Sequence, residues 1–486
     1  MKIRKIILEN NPVFWNPIVD LDFTKPDWTI YDNIIFVWEN GSWKSIMLED
    51  IIFQFSNLGI ISNWNTWEKR QFQVELTNKE KEIIKLTLSQ LKGIGDILTF
   101  SYDLSIASNW QQLTLNDSNG NTINGHNFCS NQKVKKIFKS IYSSAEINFI
   151  GDMPTTSSNK DIDVELKSSI KSPINLAYDI TQLIVDISKQ DDTDDSNYME
   201  SEVKAWRLPN LELIKKRTSR FRNAFKKLFD TKLTFEWVNW TTPNFKKWDS
   251  IFDINRLSSW EKQIVFRGWF LLKDQNSLLW SPVLIDEPEN SLHPSWQLKI
   301  LDFYKAIFTD TSTHQQTSQL FITSHSPYIF KNAKLTDYKL FIFRRNDTTQ
   351  NVEVISSDKL WWLYWSPTWW EINRYAYWLP TLEFHDELYW FLHDRFIMSG
   401  IDDQAREANA RIDNFDNYIK TTIPSITRQW DKEGYWSSWF NPKPQIVSIS
   451  TFIRHKSHHP ENRTMQPVDF TLNELEQSIK DMISMI

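Results

Sequence analysis

The chain has 486 residues, 41% of them hydrophobic, and a formal net charge of -6, which provides for a sizeable core and, by length, two or three domains. The mild acidity, with a pI of about 5.9, gives no whole-chain case for nucleic acid, so such a partner needs a local basic patch. One cysteine, Cys129, excludes a disulfide framework or a Cys-cluster zinc site, no apolar run approaches the roughly 20 residues of a membrane span, and the start lacks a signal-peptide core, so a cytoplasmic location with no membrane partner is expected.

In chain order, residues 3 to 8 and 34 to 37 read as short strands, and the second runs through a polar loop into an apolar helix from Ser45. The stretch from about 60 to 250 mixes strand-like segments, Gln71 to Leu76 and Ile97 to Leu104, with helical ones, Ile174 to Ile187 and Leu211 to Phe229. It is expected to form an insertion with a helical lobe, and the acidic run Asp191 to Asp195 a solvated loop between its helices. From 257 to 345 the pattern is helix, buried strand Pro282 to Ile285, helix, strand Leu320 to Thr323, strand Leu340 to Phe343, as in a parallel α/β sheet. Residues 370 to 486 read as a mainly helical C-terminal domain.

Glycine is scarce and tryptophan abundant: 10 Gly and 25 Trp, where average usage gives about 34 glycines for this length. Several tryptophans stand where glycine suits the chain, as in Asp27-Trp28, Trp361-Trp362, Trp369-Trp370 and the loop at Trp436. Two explanations compete. An aromatic-rich binding surface would add tryptophan without depleting glycine. A UGA codon that the cell reads as glycine, written here as tryptophan, accounts for both.

With glycine at Trp38 and Trp43, the run Trp38-Glu39-Asn40-Gly41-Ser42-Trp43-Lys44-Ser45 becomes GxxxxGKS, a phosphate-binding loop. Backbone N–H groups must wrap the phosphates there, and a Cβ would intrude. Lys44 would reach the β and γ phosphates, and the Ser45 hydroxyl would ligate Mg2+. Pro282-Val-Leu-Ile-Asp286-Glu287 is a buried strand ending in two carboxylates, suited to place Asp286 near a metal's water shell and Glu287 beside an attacking water. The alternative, an ordinary core strand with a polar end, loses ground when Pro288-Glu-Asn-Ser-Leu-His-Pro294 follows.

Leu257-Ser258-Ser259-Trp260-Glu261, with glycine at 260, and His325 within Phe321-Ile-Thr-Ser-His-Ser-Pro327 complete a set in fixed order. Together these four segments resemble the ABC-class ATPases, specifically the RecF-like, OLD-like and Septu-type repair and defence group, whose carboxylate motif takes the form seen in Asp286 to Pro294. The resemblance implies an α/β fold with an ABC-type P-loop NTPase core over residues 1 to 345. It implies MgATP binding and hydrolysis, with Glu287 and His325 catalytic, and a homodimer in which Leu257 to Glu261 of one copy contacts ATP on the other. Without a ligand, Ser258 and Glu261 make a helix capping box. About 210 residues separate loop and signature, more than in transporter subunits. A role in phage defence or DNA repair follows from that branch.

Residues 204 to 232 hold ten Lys or Arg against two acids, either a DNA or RNA contact or a solvated helix face. Arg454 and His459 resemble the Arg-x4–6-His motif of HEPN ribonucleases, in which His serves as acid or base and Arg steadies phosphorane charge. Alternatives are metal binding by His455, His458 and His459, a structural role, or recruitment of a separate partner nuclease. The recoding account predicts UGA codons at 38, 43 and 260; sequencing the gene and finding UGG at these positions would contradict it.

Overall fold

A computed structural model describes the chain except residues 13, 15–16, 39–45, 59–67, 88–93, 105–112, 145–175, 210–215, 230–232, 240–241, 273–280, 311–312, 332–335, 346–351, 360–362, 364–367 and 432–443. Two compact units divide it, Met1–Leu360 and Trp361–Ile486.

The first unit is built on a six-stranded sheet whose strands are, in chain order, β1 (Asn33–Trp38), β2 (Ile141–Ser143), β3 (Pro282–Asp286), β4 (Gln319–Ser324), β5 (Tyr338–Arg345) and β6 (Val352–Ser356). Their spatial order is β6-β5-β1-β4-β3-β2, parallel throughout except for β6. Every residue of β3 and β4 is buried, which is why their centres, Val283 to Ile285 and Leu320 to Ile322, read as unbroken apolar runs rather than alternating ones. Because β6 adds to the edge, this unit extends beyond residue 345.

A second, antiparallel six-stranded sheet joins Lys2–Glu9 and Ile18–Asp22 to Lys69–Glu75, Ile97–Asp103, Leu113–Asp117 and Thr122–Asn124. Its inward residues, among them Ile6, Leu8, Phe72 and Phe100, share one core with Phe36, Phe321 and Phe341 of the first sheet. The expectation of a single insertion over 60 to 250 is therefore corrected. Roughly its first third completes a sheet begun at residue 2, since alternating strands bury only one face and need this partner layer.

The rest of that stretch contains α1 (Leu176–Lys204), α2 (Lys216–Phe229) and a three-stranded sheet of Leu233–Asn239, Thr242–Lys247 and Ser250–Asp253. The acidic run at 191 to 195 is not a loop. It lies inside α1, and Asp191, 3% exposed, accepts from the Thr218 amide at 2.9 Å and its hydroxyl at 2.6 Å. Thr218 sits in the first turn of α2, whose amides lack helical partners, so a carboxylate from a neighbouring helix satisfies them and complements the dipole. Next come α3 (Ser259–Leu272) and α4 (Ile300–Ile307). The helix expected from Ser45 is present from Ile46, but Ile46–Phe53 is π-wound, a form found mostly as short bulges near functional sites.

The second unit is helical, as α5 (Leu382–Met398), α6 (Ile412–Thr422), α7 (Ile449–His458) and α8 (Leu472–Ser484), with an unforeseen pair of antiparallel strands, Thr427–Asp431 and Pro444–Ser448. Phe384, Leu388, Phe415, Phe452 and Ile479 form its core. Among the described residues no helix is long and apolar enough to cross a membrane.

Nine non-glycine residues among those described have positive φ, and four are tryptophan: Trp28 (68°), Trp206 (53°), Trp248 (58°) and Trp378 (54°). For a bulky side chain this is an outlier conformation, and each position is one that glycine ordinarily fills. Trp206 follows α1, with its amide bonded to Val203 O and that of Arg207 to Glu202 O, the paired bonds of a Schellman motif. Trp378 is the left-handed cap of Trp369–Tyr377. Trp248 opens the two-residue turn between Lys247 and Ser250, and Trp28 closes the turn Lys25-Pro26-Asp27-Trp28, its amide bonded to Lys25 O. The Trp369-Trp370 pair differs, since it starts a helix behind the Thr368 cap, while Trp361, Trp362 and Trp436 lie outside the described residues.

Left-handed backbone costs an L-residue about 1–2 kcal/mol, partly offset by the greater entropy glycine loses on folding. Replacing Trp28, Trp206, Trp248 or Trp378 by glycine is expected to raise stability by about 0.5–1 kcal/mol each, read as a higher urea midpoint. Four destabilised variants would contradict this assignment.

Candidate nucleotide site

The register of the parallel sheet brings the ends of β1, β3 and β4 to one edge. Val37 of β1 lies opposite Ser324 of β4, and Thr323 of β4 opposite Asp286 of β3. The chain therefore leaves all three strands at the same level: into the run 39 to 45 from β1, into Glu287 from β3 and into His325 from β4. The crevice at the carboxyl ends of parallel strands is where such sheets bind ligands. Residues Glu39 to Ser45, with the side chains of Trp38, Trp43, Lys44 and Ser45, lie outside the described residues.

Asp286 is 3% exposed, and its two oxygens take different hydroxyls: Thr323 Oγ1 donates to Oδ1, and Tyr142 Oη to Oδ2 at 3.2 Å. A carboxylate so held is suited to ordering a metal's water shell. Thr323 Oγ1 also accepts from the Glu287 amide at 3.2 Å. The carbonyls of Asp286 and Glu287 both accept from the buried Arg267 guanidinium of α3, at 3.0 and 3.2 Å. These bonds hold Glu287 at φ 44°, a strained value of the kind that collects at functional sites. Its carboxylate meets His325 Nε2 at 3.2 Å, with both side chains a little over one quarter exposed. Sequence reasoning named this pair, and the fold brings it together.

Four participants were missed. Tyr142 lies on β2, a three-residue strand without a sequence signal, and Thr323 and Arg267 look like ordinary members of an apolar strand and helix. Glu289 is buried in the turn after β3, and its Oε1 accepts from Ser324 Oγ at 2.7 Å, His325 N at 2.7 Å and Ser326 N at 3.2 Å. Its only hint was a third acid two residues past Glu287.

At the proposed signature, Leu257 is buried while Ser258 and Ser259 are exposed at the start of α3. Glu261 Oε2 accepts from the Ser258 amide at 2.8 Å and hydroxyl at 2.6 Å, and Lys247 donates to Oε1 at 2.9 Å. Despite burial, these bonds hold the Glu261 carboxyl below its usual range. The Trp260 indole stacks on Trp296 with ring centroids 3.8 Å apart, beside Phe229 at 5.6 Å.

In the basic strip, three cations already have protein partners: Lys204 pairs with Glu200, Arg207 with Glu202, and Arg222 donates to the backbone carbonyls of Phe235 and Glu236. In the second unit, Arg454 lies 5.0 Å from the Trp390 ring centroid and 3.3 Å from His455 Nδ1, while His459 Nδ1 pairs with Glu461 at 3.0 Å. Arg454 and His459 thus have separate partners. The metal alternative for the nearby histidines is corrected: among the described residues no group of three His, Cys, Asp or Glu could hold an ion. His458 instead pairs with Asp386 at 3.0 Å, and the His455 ring stacks on Trp430.

Residues 268–331 match the family described as "AAA domain, putative AbiEii toxin, Type IV TA system". That segment contains β3, β4, Asp286, Glu287, Glu289 and His325. No curated protein matches. Similar solved structures include an Smc head bound to the C-winged helix domain of ScpA, with 14% identity, 74% of this chain and 99% of that chain covered, and a TM-score of 0.42. The Smc head with an extended coiled coil, bound to the C-terminal domain of ScpA and derived from Pyrococcus furiosus, gives 11%, 74%, 97% and 0.39. The SMC head domain from Thermotoga maritima gives 13%, 73%, 99% and 0.34. Scores this low give these likenesses no weight for fold or function.

Proposed function

We propose that this chain, with glycine at positions 38, 43 and 260, binds and hydrolyses ATP at the carboxyl edge of its parallel sheet. The observation that carries the reading is the common exit level of β1, β4 and β3, from which the chain continues to residue 39, to His325 and, past Asp286, to Glu287. Four tryptophans held in left-handed backbone support glycine as the encoded residue at UGA positions.

In this reading the amides of residues 39 to 45 cradle phosphate at the start of the helix from Ile46, and Lys44 meets the outer phosphates. Ser45 and Asp286 would hold Mg2+, which supplies neutralisation of phosphate charge when bound. Asp286 fits a hard cation's water shell, because both its oxygens are oriented by hydroxyl donors. Glu287 accepts a proton from, and orients, the attacking water, and His325 positions that carboxylate and reports on the phosphate side of it. Ser258 and Ser259, exposed at the start of α3, would meet the nucleotide of a second copy, so the working unit is a homodimer that closes on ATP and reopens on hydrolysis.

The biological setting we infer is phage defence or DNA repair. The form of the Asp286 to Pro294 motif supports that pair, and the matched family's description, which names a toxin of a toxin–antitoxin system, favours defence. No contact favours a nuclease role for Arg454 and His459 over a structural one, because Glu461 and Trp390 already occupy them.

In the form with glycine at 38, 43 and 260, Glu287→Gln is expected to reduce ATP turnover at least about 100-fold, the scale of a lost general base, while ATP affinity is kept. Phosphate release and equilibrium ATP binding measure the two. Unaltered turnover would remove Glu287 from its assigned role.

A further inference from the structure

We propose that Glu289 is a positioning residue for hydrolysis, a latch that fixes the His325 loop against the Glu287 turn. The inference rests on the ATPase reading above and names a residue which that reading does not use. One oxygen of Glu289 gathers three donors from three consecutive residues: the Ser324 hydroxyl and the amides of His325 and Ser326. Burying a carboxylate is costly unless its oxygens are hydrogen-bonded, and this loop supplies the donors. In return, the loop amides, which have left the β ladder at Ser324, gain an acceptor.

The geometry gives this latch a consequence at the reacting edge. Glu289 and Glu287 belong to the same tight turn, closed by the Asn290 amide on Glu287 O at 3.1 Å. Ser324 to Ser326 carry His325 between them. The Glu287–His325 contact of 3.2 Å is therefore flanked by Thr323, tied to Asp286 and to the Glu287 amide, and by the three bonds to Glu289. Thr323 fixes the strand ends, and Glu289 ties down the residues beyond them, where the Ser326 amide also donates to Ser324 Oγ at 3.0 Å. Ser326 adds a further tie, donating through its hydroxyl to Gln297, so the loop is held from two sides while the imidazole stays partly open to solvent. A displacement of about 1 Å in a catalytic group can cost 100-fold in rate, which sets the scale of the expected effect.

The test compares Glu289→Ala and Glu289→Gln in the full chain carrying glycine at 38, 43 and 260. Gln keeps an acceptor oxygen for the loop amides, whereas Ala keeps none. In the nucleotide-free protein, amide exchange at His325 and Ser326 is expected to accelerate at least about tenfold in the Ala variant and to recover in Gln. Amides of Val283 to Ile285 should not change, which shows that the sheet remains folded. With ATP, kcat should fall about 10- to 100-fold in the Ala variant with KM within about threefold, and Gln should regain most of kcat. Unchanged exchange at 325 and 326 overturns the latch whether or not ATP is hydrolysed. Faster exchange with unchanged kcat overturns its role in positioning. A parent chain that hydrolyses no ATP while exchange responds as expected sinks the ATPase reading and leaves the latch standing.

Discussion

Strands β3 and β4 run parallel, buried at every position, and end in step with Asp286 opposite Thr323. That register fixes the rest of the site. A shift of one residue would turn Thr323 to the other face of the sheet, leaving Asp286 without the hydroxyl on Oδ1 and the Glu287 amide without its acceptor. The cost would fall on buried polar groups, each of which loses about 1–3 kcal/mol when left without a partner. Register is therefore specified twice, by the apolar faces and by the polar ends.

The same register holds the strain at Glu287. A residue at φ 44° persists only where its surroundings over-determine it, and here the Thr323 hydroxyl, the Arg267 guanidinium and the turn closed by Asn290 all bind its backbone. Among the four tryptophans in left-handed backbone, Trp378 is partly buried and lies against the Arg374 guanidinium, 5.0 Å from its ring centroid. Trp28, Trp206 and Trp248 are mostly exposed, at 74%, 96% and 71%, so no packing of the indole compensates for the backbone conformation. Where strain at Glu287 is held by a network, strain at these positions is more simply removed by a smaller residue.

Much of this was legible in the letters. Unbroken apolar strands, the order of four motifs and the paired carboxylates gave the parallel sheet and the residues at its edge. The excess of tryptophan in turn contexts anticipated Trp28, although Trp369 and Trp370 proved compatible with a helix start. What could not be read were contacts between segments distant in sequence. An acidic run looks like a solvated loop until another helix presents bare amides to Asp191. Tyr142 sits on a strand too short to show a period, and Glu289 looks like one more surface acid until the histidine loop folds onto it. The antiparallel sheet was split because its first two strands precede β1 and the others follow it.

The proposed nucleotide binding depends on glycine at the phosphate loop and signature. Its most direct measurement is equilibrium binding of MgATP to two versions of the full chain, one with tryptophan and one with glycine at positions 38, 43 and 260. Saturable binding is expected for the glycine form and none at the same concentrations for the tryptophan form, in which an indole in the loop would take the space of the phosphates. Equal binding by both, or by neither, would contradict it.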